Sequence, residues 1–145
     1  MSTAASGTVK NILVAQATTV VNERPLGEAA YPGHIVFENS LVKFMKQASA
    51  GVAVQVQVLV EDDLQGRAVS TAYANAAIAR AAVLRSGDRF NARLVADYTG
   101  KHGAYLAVAA GGRVDAVASG IPLFKALEAV AVAATADDFI LVEVI

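Results

Sequence analysis

Few side chains in this sequence are placed to do chemistry. The densest group is Glu61, Asp62 and Asp63, within LVEDDLQGRAVSTAY, residues 59–73; the two histidines, His34 and His102, stand far from it and from each other. Three adjacent carboxylates would suit a hard cation or a shared proton, and a nearby imidazole would add a base. The spacing opposes both uses. A calcium loop needs oxygen ligands at alternating positions around a glycine and a distal bidentate glutamate, an order that EDDLQG lacks. Successive residues of an extended chain point to opposite faces, so Glu61 and Asp62 do not reach one substrate unless the chain turns there. The stretch reads as a solvated bend ended by Gly66.

His34 follows Pro32-Gly33 and His102 lies in TGKHG, so both are expected in exposed turns. There is no HxH or HExxH pair, and the absence of cysteine removes thiolate nucleophiles, sulfur-based metal sites and disulfides. Ser70, Ser86 and Ser119 have no G-x-S-x-G setting and no base and acid at a readable spacing. Neither a G-x-G-x-x-G turn nor a P-loop is present. By elimination the chain is expected to be noncatalytic, with no cofactor and no metal. The alternative is a ligand- or metal-binding β-barrel enzyme in which His34, His102 and the bend of Glu61, Asp62 and Asp63 meet in one mouth.

The elements that would position these residues are strands. In VAVQVQVLV, residues 52–60, five valines fall on one side and Ala53, Gln55, Gln57 and Leu59 on the other, the strict period of a half-buried strand. RFNARLVA at 89–96, RVDAVAS at 113–119 and FILVEVI at 139–145 alternate in the same way. Gly111-Gly112 reads as a hairpin turn between two such runs. In LVKFMKQ, residues 41–47, lysines on a core or edge strand would blunt aggregation. Residues 70–85 are open to a helix with Tyr73, Ala77, Ala81 and Leu84 on one face. The bracketing Gly66 and Gly87 and the alternation from Ile78 to Leu84 favour a strand. Residues 122–134 suggest a short helical turn followed by an alternating half. The expected class is all-β, a small jelly-roll-like sandwich or barrel with an extended N-terminal arm and at most one short helix. The expected division is an arm over 1–33 and one domain over 34–145.

Composition bounds the partners. With 145 residues the chain holds one ordinary core. A net charge of −1 lacks the basic excess that nucleic acid demands, so no direct nucleic-acid partner is expected. A mean hydropathy of +0.47 with 55% hydrophobic residues, much of it alanine and valine, suggests contacts between subunits. No apolar run approaches the ~18–20 residues that span a bilayer, and the first residues lack the apolar stretch of a secretory signal, so neither membrane nor export is expected.

Several stretches, in chain order, resemble the capsid cement, or decoration, proteins of tailed bacteriophages. They are ERPLGEAAYPGHIV at 23–36, LVEDDLQGRAVSTAYANA at 59–76, SGDRFNARLVA at 86–96, GGRVDAVASG at 111–120, and KALEAVAVAATADDFILVEVI at 125–145. TGKHGAYL at 99–106 and the longer arm depart from that pattern. The resemblance implies a noncatalytic structural protein, made in the host cytoplasm and carried on the outer surface of the virion. There it would stabilise junctions between subunits of the major capsid protein as a homodimer or homotrimer. Capsid or subunit contacts would then come from Ile12, Leu13 and Val14, from Pro25, Leu26 and Tyr31, and from Glu61, Asp62 and Asp63.

Overall fold

A computed structural model describes residues 11–15, 20–47, 55–62, 68–117 and 122–145. Two antiparallel sheets pack as a small sandwich, the all-β class that the alternating pattern predicts. The strands are β1 (Leu13–Ala15), β2 (Val20–Pro25), β3 (Ile35–Glu38), β4 (Phe44–Lys46), β5 (Gln57–Leu59), β6 (Ile78–Val83), β7 (Arg89–Arg93), β8 (Tyr105–Ala109), β9 (Arg113–Ala116), β10 (Phe124–Ala126) and β11 (Phe139–Val144). Sheet order is β1-β7-β11-β10-β8-β9 in one layer and β2-β6-β5-β3-β4 in the other.

Alternation decides which side chains fill the space between the layers. Phe90, Ala92 and Leu94 from one strand, Ile140, Val142 and Val144 from another, and Phe124, Leu106, Val108 and Val114 meet Ile35, Val58 and Ala82 of the opposite sheet. Each large apolar side chain removed from water contributes about 1.5–3 kcal/mol. The valine alternation behaves as its period requires: Val56, Val58 and Val60 join this core, while Leu59 points the other way. Val52 and Val54 lie outside the described residues.

Leu59 belongs to a second, smaller cluster with Leu26, Ala30, Val36, Phe44, Tyr73, Ala79 and Ala81. It forms because the five-stranded sheet curls. Past β2, Leu26 makes a parallel bridge with Phe44 of β4, so opposite edges of the sheet are drawn together. The segment before β6 closes over the result: Ala30 and Tyr73 exchange backbone bonds of 3.1 and 2.8 Å, and the Tyr73 hydroxyl donates to Val60 O at 2.7 Å. The six-stranded sheet curls similarly, with Leu94 beyond β7 in parallel bridge with Val114 of β9.

The ambiguous segments resolve. Residues 78–83 are β6 and residues 70–77 are turns and bends, so no helix forms in 70–85; Ala79 and Ala81 face one apolar cluster and Ala82 the other, which only a period of two allows. In 122–134 the expected order is reversed: the first half contains β10, and the second half holds an isolated bridge at Val130 instead of a strand. Gly111-Gly112 does make the turn between β8 and β9, a single 3-10 turn with φ of +77° and +72°. Of residues 1–33, those in β1 and β2 run extended along the sheets, β1 against β7 and β2 against β6, while residues 27–28 bend and 32–33 turn.

Candidate functional site

The strongest gathering of polar groups lies where the turn before β3 meets the ends of β7, β9 and β11. It begins with Gly33, whose φ is +94° and whose amide donates to Leu59 O at 2.7 Å. A Cβ there would stand 2.8 Å from a ring carbon of Phe139 and 3.1 Å from Arg93 Cγ, so only glycine lets the turn approach so closely. The turn therefore folds inward. His34 is 2% exposed, which corrects the expectation of an exposed turn residue.

His34 Nδ1 accepts the Tyr31 amide at 3.1 Å, and its Nε2 lies 3.0 Å from Asp137 Oδ1. Because Nδ1 is an acceptor, the ring proton sits on Nε2 and donates to the carboxylate. Arg113 holds the same carboxylate in a fork, Nε to Oδ1 at 2.9 Å and an outer nitrogen to Oδ2 at 3.1 Å. Arg93 completes the group without touching that carboxylate. Its guanidinium donates to three carbonyls, Pro32 O at 2.6 Å, Val69 O at 2.7 Å and Asp137 O at 3.2 Å, and lies over the rings of Phe139 and Tyr31 at 4.4 and 4.9 Å. Asp137 has a φ of +70°, a conformation aspartate tolerates, and its amide is fixed to Leu94 O.

Burial lowers the His34 pKa, and the neighbouring Asp137 offsets this only in part, so the imidazole is neutral near pH 7. Burial also opposes ionisation of Asp137. The hydrogen bonds from His34 and Arg113 outweigh it and hold this carboxyl well below the usual carboxylate range. Burial lowers the Arg93 value as well, though a guanidinium remains charged. A general base must offer a free lone pair. The lone pair of His34 is taken by a backbone amide and its proton by Asp137, so the arrangement ties strands together and presents no base to a substrate.

Neither a known family model nor a curated protein matches this chain.

The remaining sequence candidates do not converge. Glu61 is half-buried and accepts the Ile12 amide at 3.1 Å, which fastens the start of β1 to the end of the valine run. Asp62 is 3% exposed, so this part of the bend is not solvated; the run continues past β5 through the Val60 amide bonded to Arg80 O and carries Asp62 inside. Asp63 lies outside the described residues. His102 sits in an exposed turn before β8, as its glycine neighbours predict. Among the described residues no three His, Asp or Glu side chains gather as metal ligands. Ile12 and Leu26, expected to touch neighbours, are fully buried in their own chain, because the one precedes β1 and the other closes the curled sheet. Leu13 and Pro25 are half-buried, while Val14 and Tyr31 remain exposed.

Sequence reasoning missed Arg93, Arg113 and Asp137. Arg93 gave one usable signal, a cation immediately before Leu94 and Val95 on a strand whose alternate residues are apolar. The Arg113 to Asp137 fork joins residues 24 positions apart and left no local mark.

Exposed apolar side chains are scattered over the described surface, and two of them are adjacent in the turn between β3 and β4. Leu41 is 71% and Val42 51% exposed, with Phe37 beside them on β3. The turn is rigid: Asn39 Oδ1 accepts the amides of Leu41 and Lys43, both at 3.0 Å, and the Val42 amide donates to Asn39 O. Val42 has a φ of +58°, an outlier for a β-branched residue.

Proposed function

We propose that this protein is a noncatalytic structural binding module, a capsid cement protein that docks on the outer surface of a tailed-phage head and braces junctions between major capsid subunits. The observation that carries the reading is the turn between β3 and β4, where Leu41 and Val42 stand out as a fixed apolar knuckle. A rigid anchor loses little entropy on docking, and a shell offers many identical sites for it. The inward closure of His34, Arg93, Arg113 and Asp137 supports the same reading, since these groups hold the scaffold that presents the knuckle. The sequence resemblance supplies the kind of partner.

The test is addition of purified protein to expanded heads that lack it, with occupancy and heat resistance measured together. Saturable binding and a raised disruption temperature are expected. Leu41→Ser should reduce occupancy without lowering the melting temperature, because the side chain is largely in water. Absence of binding by the unaltered protein would remove the proposal.

A further inference from the structure

A sheet edge presents a row of unpaired amides and carbonyls that another strand can take up. In this fold three of the four edges are blocked. The Gly27 amide donates to Phe44 O across the outer side of β4 at 3.0 Å, and the Val95 amide donates to Val114 O across β9 at 3.2 Å. β1 has only three residues and its register breaks between Leu13 and Ala15. β2 is different. It runs six residues against β6 with no break, from Val20 opposite Val83 to Pro25 opposite Ile78; the curled sheet brings Phe44 of β4 against its last residue, Pro25, but among the described residues no strand pairs with the outer side of Val21 or Glu23.

The direction of each backbone group on β2 follows from its neighbours. The Leu26 amide donates to Ala77 O at 2.9 Å, in step with the β2 to β6 register. Antiparallel strands alternate bonded and non-bonded positions. Val20, Asn22 and Arg24 therefore turn their backbone groups to β6, while Val21, Glu23 and Pro25 turn theirs outward. Two facts agree with this phase. Gly27, the next residue of the outward set, does donate away from β6, and Pro25 places its missing amide on the outward side, where proline is tolerated.

We propose that the outer edge of β2 pairs with the same edge of a second copy of this chain, antiparallel about a two-fold axis at Asn22. In that register Val21 faces the partner's Glu23, and each such pair exchanges two backbone bonds. Asn22 faces its own copy, and Val20 faces the partner's Arg24. No proline amide is required and no like charges stand opposite. A register centred on Glu23 would set two carboxylates face to face and call on Pro25 for an amide it lacks. The charges on the strand are met within each copy, Glu23 by Arg80 at 3.6 Å and Arg24 by Glu38 at 3.7 Å. One terminal nitrogen of Arg24 also donates to Glu23 O at 2.7 Å; it swings aside or shares the oxygen, whose second lone pair is free for the incoming strand.

The inference rests on the hydrogen bonding of the edge and not on head binding. Sedimentation of the full chain over a concentration series should show a monomer–dimer equilibrium. Val21→Pro removes an outward amide while leaving every bond to β6, and should raise the dissociation constant about tenfold or more with the melting temperature nearly unchanged. The register is read separately by cross-linking, since the chain has no cysteine of its own. Opposed non-bonded residues bring their Cα atoms to about 4.5 Å, within disulfide reach. Under oxidation Asn22→Cys should form a covalent dimer, and Val21→Cys and Glu23→Cys should not. A monomer at every concentration, a dimer indifferent to Val21→Pro, or cross-linking at 21 equal to that at 22 would each overturn the pairing. If Val21→Pro fails to fold, the cysteine series alone decides. A dimer that binds no heads would sink the proposed function and leave this inference standing.

Discussion

Two acidic residues six positions apart, Asp137 and Glu143, each face an arginine, yet they sit in different electrostatic worlds. Asp137 precedes β11 at the crowded end of the sandwich, gripped by both nitrogens of the Arg113 fork and by His34, with Arg93 on its carbonyl. Glu143 lies near the other end of β11 on the outer face of the sheet and takes one bond, 3.1 Å, from Arg89, which is half exposed. The chemistry is the same and the setting differs. Water screens the outer pair and leaves it worth little, whereas the inner group joins the turn before β3 to β7, β9 and β11, and any missing member strands buried polar atoms. Charge on this molecule is structural where it is enclosed and solubilising where it is open.

The sharpest way to break the contrast is to remove Arg93. Arg93→Ala leaves the carbonyls of Pro32, Val69 and Asp137 without their donor and opens a gap between the Tyr31 and Phe139 rings. A loss of about 3–5 kcal/mol is expected by chemical denaturation. Arg93→Lys should recover little, because an ammonium does not reach three carbonyls with planar geometry or stack on two rings. A loss under about 1 kcal/mol would show that the enclosed group is dispensable.

Asp137→Asn is gentler, since asparagine tolerates the same backbone angle and can still accept from His34. It removes the charge that Arg113 grips. The expected loss is about 2 kcal/mol, and Arg113→Ala added to it should cost little more. A double-mutant cycle measures that coupling, and additive losses would mean that the fork does not hold.

The strands could be read from sequence because period two is a local property. Val56, Val58 and Val60, and Phe90, Ala92 and Leu94, show their facing within a few residues. The sandwich class followed from such runs and from the glycines between them. The enclosed charges were not legible for the opposite reason. His34 and Asp137 are separated by 103 positions, and what buries His34 is the absence of a Cβ at Gly33 against Phe139, a tertiary fact. Asp62 misled in the same way: an acid in an acidic run before a glycine looks solvated until the chain that covers it is known. Ile12 and Leu26 looked like anchors for a neighbour because the segment around them is too polar to fold alone. Its described strands pair with the rest of their own chain instead, β1 at the edge of one sheet and β2 at the edge of the other.

Acid should separate two members of the enclosed group, His34 and Asp137, from each other. The folded His34 pKa lies below its ordinary 6.5, so as pH falls through that value the unfolded chain binds a proton first and stability is lost. The Asp137 carboxyl is also depressed below its ordinary 3.8; its contribution is present above that value and disappears as pH falls beneath it. The two windows follow one another, with histidine first. In the upper one the slope reaches at most about 1.4 kcal/mol per pH unit. His34→Gln should flatten the stability profile between pH 7 and about 5 while leaving the acid limb below it. A profile unchanged by that substitution would mean that the imidazole titrates as it does in water.

Arg89→Ala gives the smallest effect and the cleanest control. Arg89 is half exposed and meets Glu143 through a single bond. The expected change is under about 0.5 kcal/mol, and 0.5 M salt should erase it, because the screening length there is only a few ångströms. Any change comparable to that of Asp137→Asn would refute the argument that enclosure, and not pairing, decides which of the two acids holds the fold. Glu143 also sits opposite Lys125 in register, so a second cation stands ready when Arg89 is removed. That redundancy exists only on the open face. At Asp137 the carboxylate is held by His34 and Arg113, and the next cation, Arg93, is already committed to three carbonyls.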